Sequence, residues 1–308
     1  MFDKLGIVTN CLAKRLADND SFENLINDFI RNGFLHIEIR DGDYLHQSGF
    51  GGILKKVETT IQHYSDVEWQ QICGALHHKT SPDLPMLRAQ DHRYIIDFYR
   101  RLQTNPEVVF SYAMAHSWTG PSENVAVDDA CIIRAKKLAY LLSPTKARLR
   151  LVDLAVEQPV DESTAISNLR RYQSLTPECP VVLAVENSQL PPHVILHLAT
   201  QSNVKLAYDE ANNYYQDGKL IGDTKLFWER VGGHQLVSVH LKQKNHDSVC
   251  AVLGEGFVDF PVLLEQLLDH SYDGDWLLEY RATDQPIQDA IQSREVLLKY
   301  KNRKESTP

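Results

Sequence analysis

The chain has 308 residues, 41 acidic and 32 basic, for a formal charge of −9. Its 43% apolar content suffices to bury roughly three quarters of the unfolded surface, which excludes general disorder. No run nears the ~20 apolar residues of a spanning helix, which excludes a membrane protein, and the basic residues are scattered among a larger acidic population, which argues against a nucleic-acid partner.

Leu5 to Val8 reads as a buried strand. Phe22, Leu25, Ile26, Phe29 and Ile30 follow at helical spacing, with Asp20 and Glu23 as a capping box and Asn32-Gly33 as the stop. Phe34 to Ile39 and Val108 to Ala113 read as the second and third strands. Residues 41–107 between them are too long for one crossover; they read as an enlarged second crossover with a helix from about Gln90 to Leu102. This crossover either covers the barrel mouth as a lid or packs as a peripheral helix pair. Val125 to Leu142 is a long helix, Ala147 to Leu154 the fourth strand, and Thr164 to Leu175 a helix.

The second half is more regular. The remaining strands are Val181 to Val185, Val204 to Tyr208, Leu236 to Val239 and Trp276 to Leu278. Helices follow them near Pro192 to Thr200, Lys225 to Val231, Pro261 to Leu268 and Pro286 to Lys299. Strands apolar on both faces need cover on both sides, the pattern of a parallel sheet. Eight such units predict an α/β fold, a (β/α)8 TIM barrel formed by the whole chain 1–308 as one domain, with 302–308 a flexible tail. An open doubly wound sheet would want a glycine-rich phosphate turn after an early strand, and none follows the first strand.

The five cysteines are widely spaced and never in CxxC pairs, which fits reduced thiols. The N-terminus has neither the apolar segment nor the cleavage site of a signal peptide, so a cytoplasmic location is expected.

The informative pattern is what ends the last four strands. They hand over to Glu186, Asp209, His240 and Glu279, respectively. In a parallel barrel those ends converge on one mouth. Three carboxylates and an imidazole suit one divalent cation, Mn²⁺, Mg²⁺, Co²⁺ or Zn²⁺. Carboxylates so close repel unless a cation neutralises them. The alternative, acidic residues that merely cap helices, weakens when four consecutive strands share the feature.

The motifs Ala-Val-Glu-Asn at 184–187, Tyr-Asp-Glu-Ala-Asn at 208–212, His-Leu-Lys at 240–242, Gly-Glu-Gly-Phe-Val-Asp-Phe at 254–260 and Leu-Leu-Glu-Tyr-Arg at 277–281, with Gly33 and Ile37-Glu38-Ile39 earlier, occur in the order found in one family. In these the chain resembles the xylose isomerase-like TIM barrel superfamily, in its sugar isomerase and epimerase branch. The resemblance implies that Glu186, Asp209, His240 and Glu279 hold one divalent metal. It further implies that Glu186 and Glu279 exchange a carbon-bound proton on a keto sugar or cyclitol through a metal-stabilised enediolate. Two departures stand out. Asn212 occupies a position where many isomerases carry His, and Gln243 one where Asp often follows. The endonuclease branch needs further His and Asp ligands; no Asp-x-His pair lies between His240 and Gly254.

Candidate substrate-binding residues surround this set. Lys242 and Arg281 lie two residues beyond His240 and Glu279, on the same strand face; they either meet substrate oxygens or pair with neighbouring acids. Asn212, His116, Arg40 and Trp118 complete the candidates, Trp118 by stacking on a sugar face. Glu38 shares a face with Arg40 and either satisfies buried backbone or pairs with a base inside the barrel. Gly254 to Gly256 reads as a bend or as a phosphate-binding turn. Two rivals to an isomerase remain: a metal-dependent dehydratase or lyase, separable by product mass, and a non-catalytic barrel used for binding. A homo-oligomer stays open.

Overall fold

The apolar runs form the parallel strands β1 (Leu5–Val8), β2 (His36–Arg40), β3 (Val109–Ala115), β4 (Arg148–Val152), β5 (Val182–Glu186), β6 (Lys205–Asp209), β7 (Leu236–Leu241) and β8 (Asp275–Leu278). Each pairs with the next, and β8 pairs with β1, closing the barrel. The computed structural model describes residues 5–78, 89–103, 105–153 and 160–305. Among these the helices are α1 (Ala13–Ala17), α2 (Phe22–Arg31), α3 (Asp43–His46), α4 (Gly51–Ile61), α5 (Asp66–His77), α6 (Ala89–Leu102), α7 (Val125–Leu142), α8 (Glu162–Ser174), α9 (Pro192–Ser202), α10 (Thr224–Arg230), α11 (Phe260–Asp269) and α12 (Pro286–Glu305). None of them is long and apolar enough to cross a membrane.

Local chemistry explains most boundaries. The first long helix is capped by Ser21, whose Oγ accepts from the Asn24 N–H at 3.3 Å, rather than by the expected Asp20. Asp20 is instead engaged by Arg15. Gly33 takes φ +82° after α2, and the Phe34 N–H reaches back to the Phe29 carbonyl. A glycine is favoured at such a left-handed helix end. The helix α5 opens with a reciprocal capping box between Ser65 and Glu68.

The enlarged crossover between β2 and β3 supplies α3 to α6. Of these, α4 packs on α6 and α7, α5 on α7, and α6 on α2. Helices α4 to α6 thus extend the barrel's outer layer, with Phe50, Trp69 and Phe98 fully enclosed there. Residues 79–88 lie outside the described part, as do 306–308 of the expected tail and Leu154 at the end of the fourth expected strand.

The barrel interior is unusually polar. His36 and Glu38 from β2, Ser111 from β3, Arg148 and Arg150 from β4, and Asp275 from β8 line a common internal void of about 10 Å³ together with Ala184 and Leu277. Small side chains make room for this. A Cβ on Gly6 would lie 2.3 Å from the His36 carbonyl oxygen, so only glycine fits where β1 meets β2. The apolar packing lies between strands and helices, where Ile37, Leu149, Leu151, Val185 and Leu206 are enclosed.

Candidate metal centre

Strand polarity brings four side chains to the C-terminal rim. Glu186 and Asp209 end β5 and β6, His240 lies near the end of β7, and Glu279 follows β8 directly. A register shift between Leu206 and Ala207 sets Asp209 opposite His240; bulges of this kind re-aim side chains beside active sites. One ligand atom from each of the four lies within 4.8 Å of every other.

The surrounding contacts are specific. His240 Nδ1 is 3.2 Å from Glu186 Oε1 and 3.1 Å from Glu279 Oε2. Asn10, just past β1, donates its amide to Glu279 Oε1 at 2.8 Å. Asn212 donates to Glu186 Oε1 at 3.3 Å. Asn187 grips the Asp209 main chain from both sides: its amide donates to the Asp209 carbonyl, and its carbonyl oxygen accepts from the Asp209 N–H, each at 2.8 Å. From below, Arg150 donates to Glu186 Oε2 at 2.5 Å and to Glu38 Oε1 at 2.5 Å. Lys242 Nζ contacts Asp209 Oδ2 and lies 3.9 Å from Glu279 Oε2.

Charge balance sets the protonation states. Burial pushes the Glu186 carboxyl up, but Arg150 and His240 outweigh it and hold the group down to about 2. Burial likewise opposes ionisation of Glu279, yet Lys242 and His240 hold it well below the usual carboxylate range. Asp209 goes the other way: desolvation raises it, and Lys242 only partly compensates.

This donor set fits a divalent cation. One imidazole proton on Nδ1 cannot serve both carboxylates that face it, and Glu279 Oε2 is left buried without a hydrogen bond. A cation accepting lone pairs from Nδ1 and the facing carboxylates would satisfy them together, with no proton to share.

The remaining candidates divide. Lys242, Arg281, Glu279 and Asn10 line one cavity of about 340 Å³ beside the cluster, and Asn212 touches Glu186. His116 and Trp118 are held elsewhere. The Arg40 guanidinium lies 3.5 Å from the Asp41 carbonyl. His116 Nε2 meets the Tyr172 hydroxyl at 3.1 Å, drawn towards α8. Trp118 is 0% exposed within the hydrophobic core, so its ring offers no open face to a sugar, contrary to the sequence expectation. The chain turns inward after β3, with the Trp118 and Thr119 N–H groups directed at Asp153 Oδ2.

Of the two roles open to Glu38, pairing with an internal base is the one observed. Gly256 is a bend pressed against Gln243: a Cβ there would lie 2.4 Å from the Gln243 amide. That amide organises the loop, bonding the Gly254 and Val258 carbonyls and the Lys244 and Val258 N–H groups. Sequence reasoning missed Asn10 and Arg150. Arg150 had a signal: Arg148 and Arg150 alternate in a strand otherwise apolar, which places two bases inside the barrel.

No protein-family model matches the chain, and no curated protein matches its sequence. Solved structures do resemble it. The IolI protein with a binding zinc atom is 14% identical over 96% of this chain and 99% of that one, at a TM-score of 0.63. A xylose isomerase-like TIM barrel protein from Mycobacterium smegmatis in complex with magnesium is 13% identical over 96% of both chains, at 0.61. D-allulose 3-epimerase from Methylomonas sp. is 13% identical over 96% of this chain and 97% of that one, at 0.60. Such identities speak for the architecture alone: this chain has the xylose isomerase-like TIM barrel fold.

Proposed function

We propose that the protein is a divalent-metal-dependent isomerase or epimerase acting on a keto sugar or cyclitol. The observation that carries this reading is the convergence of Glu186, Asp209, His240 and Glu279 within 4.8 Å, with Glu279 also in the wall of a 340 Å³ cavity. The neighbours whose descriptions name zinc, magnesium and a sugar 3-epimerase support it.

A bound divalent cation would supply Lewis acidity, polarising a carbonyl and favouring loss of the adjacent carbon-bound proton. The chain supplies the rest. Strands β5 and β8 stand three places apart in the ring of eight, so Glu186 and Glu279 flank a central ligand from nearly opposite sides. One takes the proton and the other returns it, each needing an approach of about 3 Å. Asn10 fixes the Glu279 carboxylate, while Arg150 and Asn212 fix that of Glu186. Both acids are ionised, so either can accept the proton, and the one that returns a proton must first gain it from solvent.

The test is a screen of keto sugars and inosose-type compounds in deuterated water with added Mn²⁺, Mg²⁺, Co²⁺ or Zn²⁺. Metal-dependent deuterium incorporation beside a carbonyl is the expected result, falling about 10²- to 10⁴-fold in Glu186→Gln and Glu279→Gln. Incorporation that survives both substitutions, or is indifferent to chelation, overturns the reading.

A further inference from the structure

Two chemically different groups line the cavity beside the cluster. One is Glu279. The other is Arg281, held where β8 meets the loop after β7. The Arg281 N–H donates to the Cys250 carbonyl at 3.1 Å, and its guanidinium Nη1 is 3.4 Å from Ser248 Oγ. That loop is tied back on itself by an antiparallel bridge between Lys244 and Val249. Ser248 and Arg281 are therefore presented together, and both line the cavity with Lys242.

The wall holds acceptors at Asn10 Oδ1 and Glu279 Oε2, both buried without a hydrogen bond, and cationic donors at Lys242 and Arg281. A guanidinium and an ammonium donate and never accept. The Asn10 amide is spent on Glu279, and the Ser248 hydroxyl donates to the Val249 carbonyl. Ligand hydroxyls suit the acceptors beside Glu279, whereas a carboxylate or phosphate, which only accepts, suits the Arg281 guanidinium. Charge points the same way. Lys242 is paired with Asp209 and Arg150 with Glu38 and Glu186, whereas among the described residues no carboxylate pairs with Arg281. The volume, about 340 Å³, is near the lower end for ligand pockets, on the order of 300 Å³, which suits a single small molecule.

We propose that the natural ligand is an anionic keto sugar or polyol, its carboxylate or phosphate seated on Arg281 while its carbonyl end lies at Glu279. This rests on the isomerase reading and narrows its substrate class. The two sources of negative charge share the chemistry that Arg281 recognises and are separated by experiment.

Binding of D-fructose, 2-keto-D-gluconate and D-fructose 6-phosphate to the metal-loaded protein is measured by calorimetry, alongside deuterium incorporation into each. At least one anion is expected to bind about tenfold or more tightly than D-fructose, and which one identifies the source. The preference should weaken with added salt, because the guanidinium is exposed. In Arg281→Met the ratio of anion to D-fructose affinity should fall to about one, with Arg281→Lys intermediate. A ratio near one in the wild type, or one unchanged in Arg281→Met, overturns the anion inference. If D-fructose still exchanges deuterium in that case, the isomerase reading survives. Failure of all three probes to bind or exchange overturns the anion inference as well.

Discussion

The Lys242 ammonium contacts Asp209 inside the ligand cluster and lies 3.9 Å from Glu279. It thus stands between two of the four groups that would share a metal. An internal cation of this kind stabilises the metal-free carboxylates and competes with an incoming ion. Lys242→Met should therefore tighten metal binding by about tenfold, the equivalent of roughly one pKa unit or ~1.4 kcal/mol. The same substitution should lower the melting temperature of the metal-free protein. Competition against a chromogenic chelator and thermal unfolding with and without metal measure both. Weaker or unchanged metal affinity would show that Lys242 supports the ion instead of opposing it.

Arg150 joins Glu38 and Glu186 inside the barrel, all three almost wholly buried. Removing the guanidinium leaves two carboxylates without their shared partner. Arg150→Met should cost about 3–5 kcal/mol in urea unfolding, and the double change Glu38→Leu with Arg150→Met should recover the share due to Glu38 but not that due to Glu186. A single-variant cost below about 1 kcal/mol would mean that the interior tolerates the unpaired acids.

Asn10 acts on the site through Glu279, holding Oε1 at 2.8 Å. Loss of such an orienting partner typically weakens metal affinity or activity by about 10- to 100-fold. Asn10→Ala should show this in a metal titration while leaving the unfolding midpoint of the metal-free protein close to wild type. Unchanged metal affinity would remove Asn10 from the site's working parts.

At the opposite end of the barrel, His36 bonds Ser111 at 2.9 Å and faces Asp275 at 3.0 Å. Asp275 would favour an imidazolium, but Arg148 occupies the same carboxylate oxygen. Burial, reinforced by Arg148, therefore drives the imidazole down from 6.5 to about 3. Below pH 6.5 the unfolded chain binds a proton at this position that the folded chain refuses until about pH 3. Stability contributed by neutral His36 is thus fully present above the unfolded value and is lost as the pH falls through that window. His36→Asn should flatten the fall in stability between pH 7 and pH 4, read as the wild-type-minus-variant difference in urea midpoint. Parallel profiles would show that the imidazole stays protonated in the fold.

The four clustered side chains were legible in the sequence because each directly ends, or nearly ends, a buried strand, and parallel strands share one direction. Trp118 was misread for a related reason. Proximity to the end of β3 says that a residue starts near the rim, not that its side chain turns towards the opening. His116 left the rim in the same way, towards Tyr172. The capping of α2 differed by one residue because Ser21 reaches the Asn24 N–H while Asp20 is taken by Arg15.

Composition, strand periodicity and strand-end chemistry determined the closed eight-stranded architecture and the Glu-Asp-His-Glu set, since these follow from local burial and chain direction. Closure of the barrel decided the rest. Only then do β2 and β4, which are not hydrogen-bonded neighbours, face each other across the interior and let Glu38 find Arg150. Only then does Asn10 from the first loop reach Glu279 after the last strand. Such partners lie far apart in the chain, 112 and 269 residues respectively, and no local pattern encodes which distant charge will be nearest once the ring is complete.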